Sequence, residues 1–337
     1  MTGHHPVTAQ PNDTTPETDT VPMFPALSRM ERRPELQPRV FGREPYWRAP
    51  VTTASRDAYV PAWNWTSPTA PDVPPAQRLT LDANGAYLGA LGGIDVAHSH
   101  LTRRGPVDYP IGPKEVLPGY YLIDVPYWPF SGTIVHPLGD SARLETESRV
   151  WIAHPTLILL LELQDQGVIS VEILDSWNAQ ARTNLRKWQA HLKQVRAELL
   201  DAIEQAQTDA ARAFHRARYD AFKEGYSAAL SMMLTGEKCK THRPDWTHAV
   251  HAQHAATMWR KGWRWTGAGY PIVSMGHTDE LTVLAEDLAP AMSRPKPPFR
   301  YDPTGHALGA MKPKPTATED APTTAPAAVL DTEGDVL

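Results

Sequence analysis

The chain has 337 residues, enough for one large domain or two small ones with a sizeable core. Its formal net charge of −5 argues against nucleic-acid binding through bulk charge, and its single cysteine excludes an internal disulfide framework. The N-terminus lacks a signal-peptide pattern, and the longest apolar run, 157–163, is too short to span a bilayer. We therefore expect a cytoplasmic protein with no membrane-spanning segment.

Both ends of the chain differ in composition from its middle. Residues 1–75 hold 14 of the 33 prolines, and residues 291–337 are rich in Pro, Ala and Thr, with no Lys or Arg after Lys314. Such segments bury too little apolar surface to offset their ordering entropy. We predict disorder at both ends, with a Trp-containing island at 58–68 as a candidate for packing onto the fold.

The folded region is predicted to begin with a strand that ends on an acidic residue. Residues 78–82 alternate polar and apolar and end on Asp82, and Asn84-Gly85 follows at once. Taken alone, this pattern favours a two-residue hairpin turn capped by the Asp. The alternative is a carboxylate held at a strand end to bind a metal.

Further strands and helices follow in mixed order. The sequence predicts strands at 119–126 and 168–174, a strand and helix within 149–167, helices at 180–206, 209–234 and 245–260, and a closing hairpin within 270–287. Helices inserted between strands that pair over long separations indicate an α+β fold.

The two long helices carry a local excess of positive charge. From Arg182 to Arg243 there are 12 Lys and Arg against 7 Asp and Glu. Two cationic lines are predicted: Arg182, Arg186, Lys193 and Arg196 on the first helix, and Arg212, Arg216, Tyr219 and Lys223 on the second. Such a pair can grip a polyphosphate or a nucleic-acid backbone. A solvated helix face is the ordinary alternative.

The closing hairpin places Asp279 and Glu280 at the tip of a turn, where an Asp commonly forms hydrogen bonds within the turn itself. Asp82 and Asp279 nevertheless bracket the cationic helices along the chain. Two carboxylates, two divalent ions and nearby cations are what in-line nucleotidyl transfer uses. The set as a whole therefore favours a nucleotide or DNA site.

With this order of motifs, the chain resembles the palm and fingers of family-B DNA polymerases, most closely the protein-primed ones. The resemblance covers about 78–285 and is carried by LDANGAYLGAL, ARYDAFKEGYSAALSMM and GHTDELTV. It implies a right-hand palm with a helical fingers insertion, DNA and deoxynucleotides as partners, and Mg²⁺ as cofactor. The site residues it implies are Asp82 and Asp279 as metal ligands, Tyr87 beneath the incoming sugar and Lys223 on the triphosphate, with Arg186 and Lys193 as further nucleotide contacts.

The chain is also similar to the telomere-associated proteins of linear actinobacterial replicons, through the stretches AHPTL at 153–157 and RPDWTHAV at 243–250. Those proteins help to recruit a terminal protein to DNA ends. This second resemblance implies work on the ends of a linear plasmid, phage or related element, with a terminal protein as partner.

The chain departs from the polymerase pattern in ways that leave two hypotheses open. His277 stands where the last palm motif has its first Asp, and the fingers motif carries Ser227, Ala228, Leu230 and Ser231 in place of Asn, Ser, Tyr and Gly. Imidazole is a poor ligand for Mg²⁺. The first hypothesis is an active polymerase, and the second is a DNA-binding adaptor that has lost the chemistry.

A rival site contains Cys239 with His242, His248, His251 and His254, which could share a zinc ion although the spacing matches no standard finger.

The predicted organisation is a Pro-rich segment at 1–75, the first palm part at 76–178, a fingers-like insertion at 179–235, the second palm part at 236–290 and a disordered acidic tail at 291–337.

Overall fold

A computed structural model describes residues 51–69, 73–107, 111–140, 142–235 and 242–314, and only the backbone at Ala142 and His277. The strands are β1 (Ala58–Tyr59), β2 (Trp63–Thr66), β3 (Arg78–Ala83), β4 (Asp95–Ala97), β5 (Thr102–Arg103), β6 (Gly119–Asp124), β7 (Arg149–Ala153), β8 (Ile173–Asn178), β9 (Arg182–Asn184), β10 (Ile272–His277), β11 (Glu280–Leu284) and β12 (Met311–Pro313). The α-helices are α1 (Thr53–Arg56), α2 (Ala86–Leu91), α3 (Ala142–Thr146), α4 (His154–Asp165), α5 (Arg186–Glu204), α6 (Asp209–Thr235), α7 (Pro244–Gly267) and α8 (Ala285–Met292).

The α+β class predicted from the sequence is confirmed. The first sheet has the order β1-β7-β6-β8-β5, and the second has the order β12-β3-β11-β10-β2. All pairings within them are antiparallel except that of β1 with β7. A small ribbon joins β4 to β9. None of the helices in the described ranges is both long and apolar enough to cross a bilayer.

Helix α7 forms the centre of the molecule and contacts β6 and β7 of the first sheet and β10 of the second. Trp246, Trp259 and Trp265 are fully buried along it. The indole of Trp259 donates a hydrogen bond to the carbonyl of Val135 at 2.9 Å. The helix ends at Gly267 rather than near 260, because this apolar face continues to Trp265 and holds the last turns in the core.

Helices α5 and α6 pack against each other and against α2 and α7. The first long helix has apolar residues at helical spacing, and this face is buried, with Trp188 and Leu192 packed beside Phe222 and Leu230 of α6. That helix begins later than predicted, at Arg186, because residues 182–184 pair with β4 as strand β9.

The strand predicted at 168–174 is wrong in position, since β8 begins only at Ile173. The preceding backbone groups bond to α4 instead of to a neighbouring strand. The amide of Val168 donates to the carbonyl of Leu163, and that of Val171 donates to the side chain of Gln164. Gly167, with φ of 71°, ends the helix as predicted.

The prediction of a disordered tail from 291 is wrong for residues 291–314. Strand β12 forms one edge of the second sheet beside β3, and Met311 is fully buried. Phe299 stacks on Trp265 with ring centroids 5.5 Å apart. Backbone pairing with β3 and these two apolar contacts therefore hold this Pro-rich stretch on the fold. Residues 315–337 lie outside the described residues.

At the other end, the Trp-containing island packs onto the fold, since β2 pairs with β10 in the second sheet. The folded part thus includes residues on both sides of the boundaries predicted at 75 and 290. Residues 1–50, also predicted to be disordered, lie outside the described ranges.

Candidate functional site

The Asn84-Gly85 pair connects strand β3 to helix α2, so the hairpin that this stretch favoured is absent. Gly85 adopts φ of 60°, which glycine adopts readily. A Cβ there would lie 2.6 Å from a methyl carbon of Leu308. Asn84 is buried, and its side-chain amide donates hydrogen bonds to the carbonyls of Gly305 and Ala307. The turn is therefore shaped by the 305–309 loop packed on top of it.

The pairing of β3 with β11 brings the two predicted carboxylates to the same end of the second sheet, which is its acidic edge. Asp82 stands opposite Glu280 in the pairing of β3 with β11, and the carbonyl of Asp279 accepts a hydrogen bond from the amide of Ala83 at 3.0 Å. Asp82 and Asp279 both line one cavity of about 320 Å³. The same cavity is lined by Tyr87 and Lys223, so four of the six predicted site residues meet there.

The other two predicted nucleotide contacts, Arg186 and Lys193, are exposed on α5 and do not line this cavity. Three cations that the prediction did not place there do line it: Arg196, Arg216 and Lys312. Arg216 had been placed on the cationic line of the second helix. Lys312 was missed because its Pro-rich surroundings pointed to disorder, and the four residues from Met311 to Lys314, with a proline among them, are too weak a pattern to predict a strand.

Arg196 was predicted on the solvated face of the first helix, and the structure shows it only 5% exposed. Its guanidinium donates to the side-chain oxygen of Asn84 at 3.0 Å and to the carbonyls of Gly305 and His306 at 2.7 and 2.8 Å. This arginine holds the 305–309 loop on the turn after β3, and the helical charge pattern does not reveal that packing.

Tyr87 is held by histidines of α7. Its ring stacks on His251 with centroids 4.5 Å apart and meets the edge of His254 at 5.5 Å. Burial lowers the pKa of His251 to about 4 and that of His254 to about 3, so both rings are neutral near pH 7. Burial also raises the pKa of Tyr87, which keeps its hydroxyl protonated. The tyrosine is thus a fixed, uncharged surface at the cavity wall.

The helical wall of the cavity is cationic and aromatic. The ammonium of Lys223 and the guanidinium of Arg196 each lie 5.9 Å from the ring centroid of Tyr219. Arg216 lies one turn before Tyr219 on α6 and lines the same space. Three of the four residues predicted on that line, Arg216, Tyr219 and Lys223, therefore line the cavity with Asp82 and Asp279, whereas Arg212 lies outside it and pairs with Asp209.

The sheet edge itself carries lysines next to its carboxylates. The ammonium of Lys312 lies 3.5 Å from the carboxylate of Asp82, and Lys314 forms an ion pair with Glu280. Both lysines come from β12, the strand beside β3.

These residues do not fit a pair of divalent ions. Mg²⁺ takes oxygen ligands in octahedral geometry, and two-metal sites hold their ions about 3.5–4 Å apart. Among the side chains that the structure describes, no group of three or more His, Cys, Asp and Glu is placed to hold a metal. Lys312 already occupies one side of Asp82 with a positive charge. The magnesium site implied by the polymerase resemblance stays a prediction that this geometry disfavours.

The histidines of the predicted zinc alternative have other neighbours. His242 bonds to the carbonyl of Leu234 at 3.0 Å, and His248 bonds to the hydroxyl of Tyr120 at 2.8 Å. Cys239 lies outside the described residues. His242 and His248 therefore connect α7 with α6 and the first sheet, and His251 and His254 pack on Tyr87 of α2.

No protein-family model and no curated protein matches the sequence. Among solved structures, the chain is similar to Phi29 DNA polymerase complexed with primer-template DNA and incoming nucleotide substrates, at 12% identity and a TM-score of 0.46. It is also similar to Phi29 DNA polymerase complexed with single-stranded DNA, at 10% identity and a TM-score of 0.46. These matches cover 77% of this chain and 46% and 45% of the polymerase chains, so this chain spans less than half of their length. At that level of similarity, the functional argument depends on the site alone.

Proposed function

We propose that this cytoplasmic protein binds DNA during replication or end maintenance of a linear plasmid, phage or related mobile element. In this proposal, β3, β10 and β11 with α2 form a palm-like platform, and α5 and α6 form a fingers-like insertion. Nucleotidyl transfer is weak or lost. The observation that carries the proposal is the cationic helical pair placed directly against the acidic edge of the second sheet.

The helical pair offers phosphate contacts on its exposed faces. Among the described residues of β9, α5 and α6, the exposed cations are Arg182, Arg186, Lys187, Lys193, Arg212, Arg216, Arg218 and Lys223. Two of them, Arg182 and Arg212, also form surface ion pairs with Asp95 and Asp209. The acidic residues of α5 gather in its second half, from Glu198 to Glu204, so its positive charge is concentrated in its first half. Each cation that neutralises a DNA phosphate releases a counterion, which gives affinity despite a net negative chain.

Two cations of the local excess are unavailable to DNA. Arg196 is buried under the 305–309 loop, and Arg243 is 1% exposed in an ion pair with Asp245 at 2.7 Å. The expected number of phosphate contacts is therefore smaller than the sequence count suggests.

Charge reversal on α6 tests the proposal. We expect the combined variant Arg212→Glu, Arg216→Glu and Lys223→Glu to lose most DNA affinity. The slope of log affinity against log salt should fall by about 0.9 for each lost phosphate contact. Fluorescence anisotropy of labelled duplex DNA over a salt series measures both quantities.

The matched control reverses three exposed cations away from the helical pair: Arg56→Glu, Lys114→Glu and Lys296→Glu. It changes the net charge by the same amount and should leave the salt slope almost unchanged. A wild-type affinity that does not respond to salt, or equal losses in the two triple variants, would contradict the proposal.

An active template-directed polymerase is the second candidate. It is favoured by one observation, the meeting of Asp82 and Asp279 with Tyr87 and Lys223 in one cavity. His277 and the lysines of β12 favour the adaptor. Deoxynucleotides as substrates and a terminal protein as partner remain predictions from the two sequence resemblances.

A further inference from the structure

Strand β12 places two lysines where a catalytic sheet edge would need free carboxylates. Its register sets Lys312 directly opposite Asp82 and Pro313 opposite Leu81. The amide of Lys314 donates to the carbonyl of Thr80 at 2.8 Å, so the backbone fixes both lysines. The side chain of Lys312 is 31% exposed and that of Asp82 is 26% exposed, so this pair is partly shielded from solvent.

A third lysine lies in the core next to the start of strand β12. Lys261 of α7 is buried, and its ammonium donates to the carbonyl of Gly309 at 3.0 Å and contacts the sulfur of Met311. Its ammonium therefore lies on the inner side of β12.

The cavity lining offers exposed cations to an anion on the side of α6 and a half-buried cation on β12. The lining contains four cationic residues, Arg196, Arg216, Lys223 and Lys312, and three acidic ones, Asp82, Asp220 and Asp279. Lys312 offsets Asp82 directly. Because Arg196 is buried and bonded to the 305–309 loop, the charges that face the open space are nearly balanced, and the hydroxyl-bearing residues Tyr219, Tyr226 and Thr304 also line the cavity.

We propose that Lys312 and Lys314 serve as built-in counterions of Asp82 and Glu280, so that the cavity binds a polyphosphate chain without any divalent ion. The ligand class is the triphosphate group of a nucleotide. The phosphates contact Lys223, Arg216 and Lys312, and the neutral ring of Tyr87 lies at the wall. This inference rests on the proposed palm-like function and specifies what its cavity accepts.

Lysines and metal ions are alternatives at this edge because they carry the same sign of charge. A divalent ion at Asp82 would lie within a few ångströms of the Lys312 ammonium, and at that range like charges repel strongly in a partly shielded site. An ammonium also supplies three donors to phosphate oxygens. The site can therefore hold an anion in a metal-free buffer.

The test measures metal and phosphate binding separately on the full chain. Electron paramagnetic resonance of Mn²⁺ reports free ion, and calorimetry with inorganic tripolyphosphate and with dATP is run in EDTA and again in Mg²⁺. A 5′-phosphorylated oligonucleotide in the same assay distinguishes a nucleotide site from a DNA-end site. The variants are Lys312→Gln with Lys314→Gln, the charge-preserving Lys312→Arg, and Lys296→Gln as an exposed control.

We expect the wild type to bind tripolyphosphate and dATP equally in EDTA and in Mg²⁺ and to bind little Mn²⁺. The double Gln variant should lose at least about tenfold in phosphate affinity, or about 1.4 kcal/mol, and gain Mn²⁺ binding. Lys296→Gln should resemble the wild type, and the charge-preserving Lys312→Arg should retain more phosphate affinity than the double Gln variant and bind little Mn²⁺.

Tight Mn²⁺ binding by the wild type, or dATP binding that requires Mg²⁺, would overturn the inference without any variant having to fold. The DNA salt titration is independent of this result, so failure here leaves the proposed DNA binding standing. Loss of the salt response would instead remove the proposed function itself.

Discussion

The two five-stranded sheets use charged residues in different ways. In the first sheet, the pair Asp124 and Arg149 spans neighbouring strands β6 and β7 with side chains 41% and 61% exposed. In the second, Asp82 and Lys312 span β3 and β12, are less exposed, and line a cavity. Exposed pairs contribute only about 0–1 kcal/mol to stability, because solvent and salt screen them.

The two sheets differ in role: the first stabilises the fold, and the second carries the candidate site. The first sheet buries apolar side chains against α4 and keeps the Asp124–Arg149 pair in solvent, while its other cross-strand pair joins Arg103, 66% exposed, to Asp175, 10% exposed, and lies outside the cavity of the second sheet. The second collects carboxylates, lysines and an arginine-bearing helix around one open space. Changes in the first sheet should therefore alter stability, and changes at the edge of the second should alter ligand binding.

The largest effect expected of a single substitution is on the core of the first sheet. Ile152 is fully buried in β7, and Ile152→Ala leaves a cavity in a packed interior. Such truncations cost about 2–5 kcal/mol in the free energy of unfolding. Urea denaturation measures this loss. DNA affinity of the folded protein should be unchanged, and a loss of affinity without a loss of stability would break the division between the two sheets.

Acid should destabilise the fold through the buried histidines of α4 and α7. Burial lowers the pKa of His154, His248 and His251 to about 4 and that of His254 to about 3, against about 6.5 in the unfolded chain. Between these values the unfolded state binds more protons. The stabilisation is therefore complete above about pH 6.5 and is lost as the pH falls towards 4.

Each histidine contributes up to about 1.4 kcal/mol per pH unit in that window. Urea denaturation at pH 7, 5.5 and 4.5 measures the slope. A free energy of unfolding that stays constant from pH 7 to 4.5 would show that these imidazoles are not buried as described.

Alanine substitutions at two glycines should have smaller effects, and the two sites differ in their surroundings. Gly85 follows β3 with φ of 60°, and Gly105 follows β5 with φ of 75°. Alanine at either position adopts an unfavourable left-handed conformation, which costs about 1 kcal/mol. Only at Gly85 does the new methyl group meet a neighbour, Leu308 at 2.6 Å, whereas Gly105 has open space.

We therefore expect Gly105→Ala to lower stability alone and Gly85→Ala to weaken phosphate binding as well, because it shifts the loop above the cavity. Thermal unfolding with calorimetric titration of tripolyphosphate measures both effects. Equal phosphate affinity in the two variants would argue that the 305–309 loop does not shape the site.

Much of this architecture follows from local patterns. The period of Leu185, Trp188 and Leu192 predicts the buried face of α5, and the order of the acidic motifs anticipates that Asp82 and Asp279 share one edge. These features depend on residues close together in the sequence or on a recognisable motif.

The rest depends on contacts between distant segments. Lys312 reaches Asp82 across 230 positions, through a strand whose Pro-rich surroundings are typical of disorder. Arg196 lies on a helix face that is covered only because residues 305–309 fold over it. Neither the proline content near Lys312 nor the helical period of α5 predicts these contacts between distant segments.

Primer extension is the most direct test of the central claim that this is a DNA-binding palm-like protein without metal-dependent synthesis. Wild type, His277→Asp, Asp82→Ala and Asp279→Ala are mixed with a primed template and deoxynucleotides, with Mg²⁺ or Mn²⁺, and DNA binding is measured in the same samples. We expect salt-sensitive DNA binding with little or no incorporation in Mg²⁺ by any of the four. Robust Mg²⁺-dependent synthesis by the wild type, abolished by Asp82→Ala or Asp279→Ala, would contradict the claim and establish the polymerase.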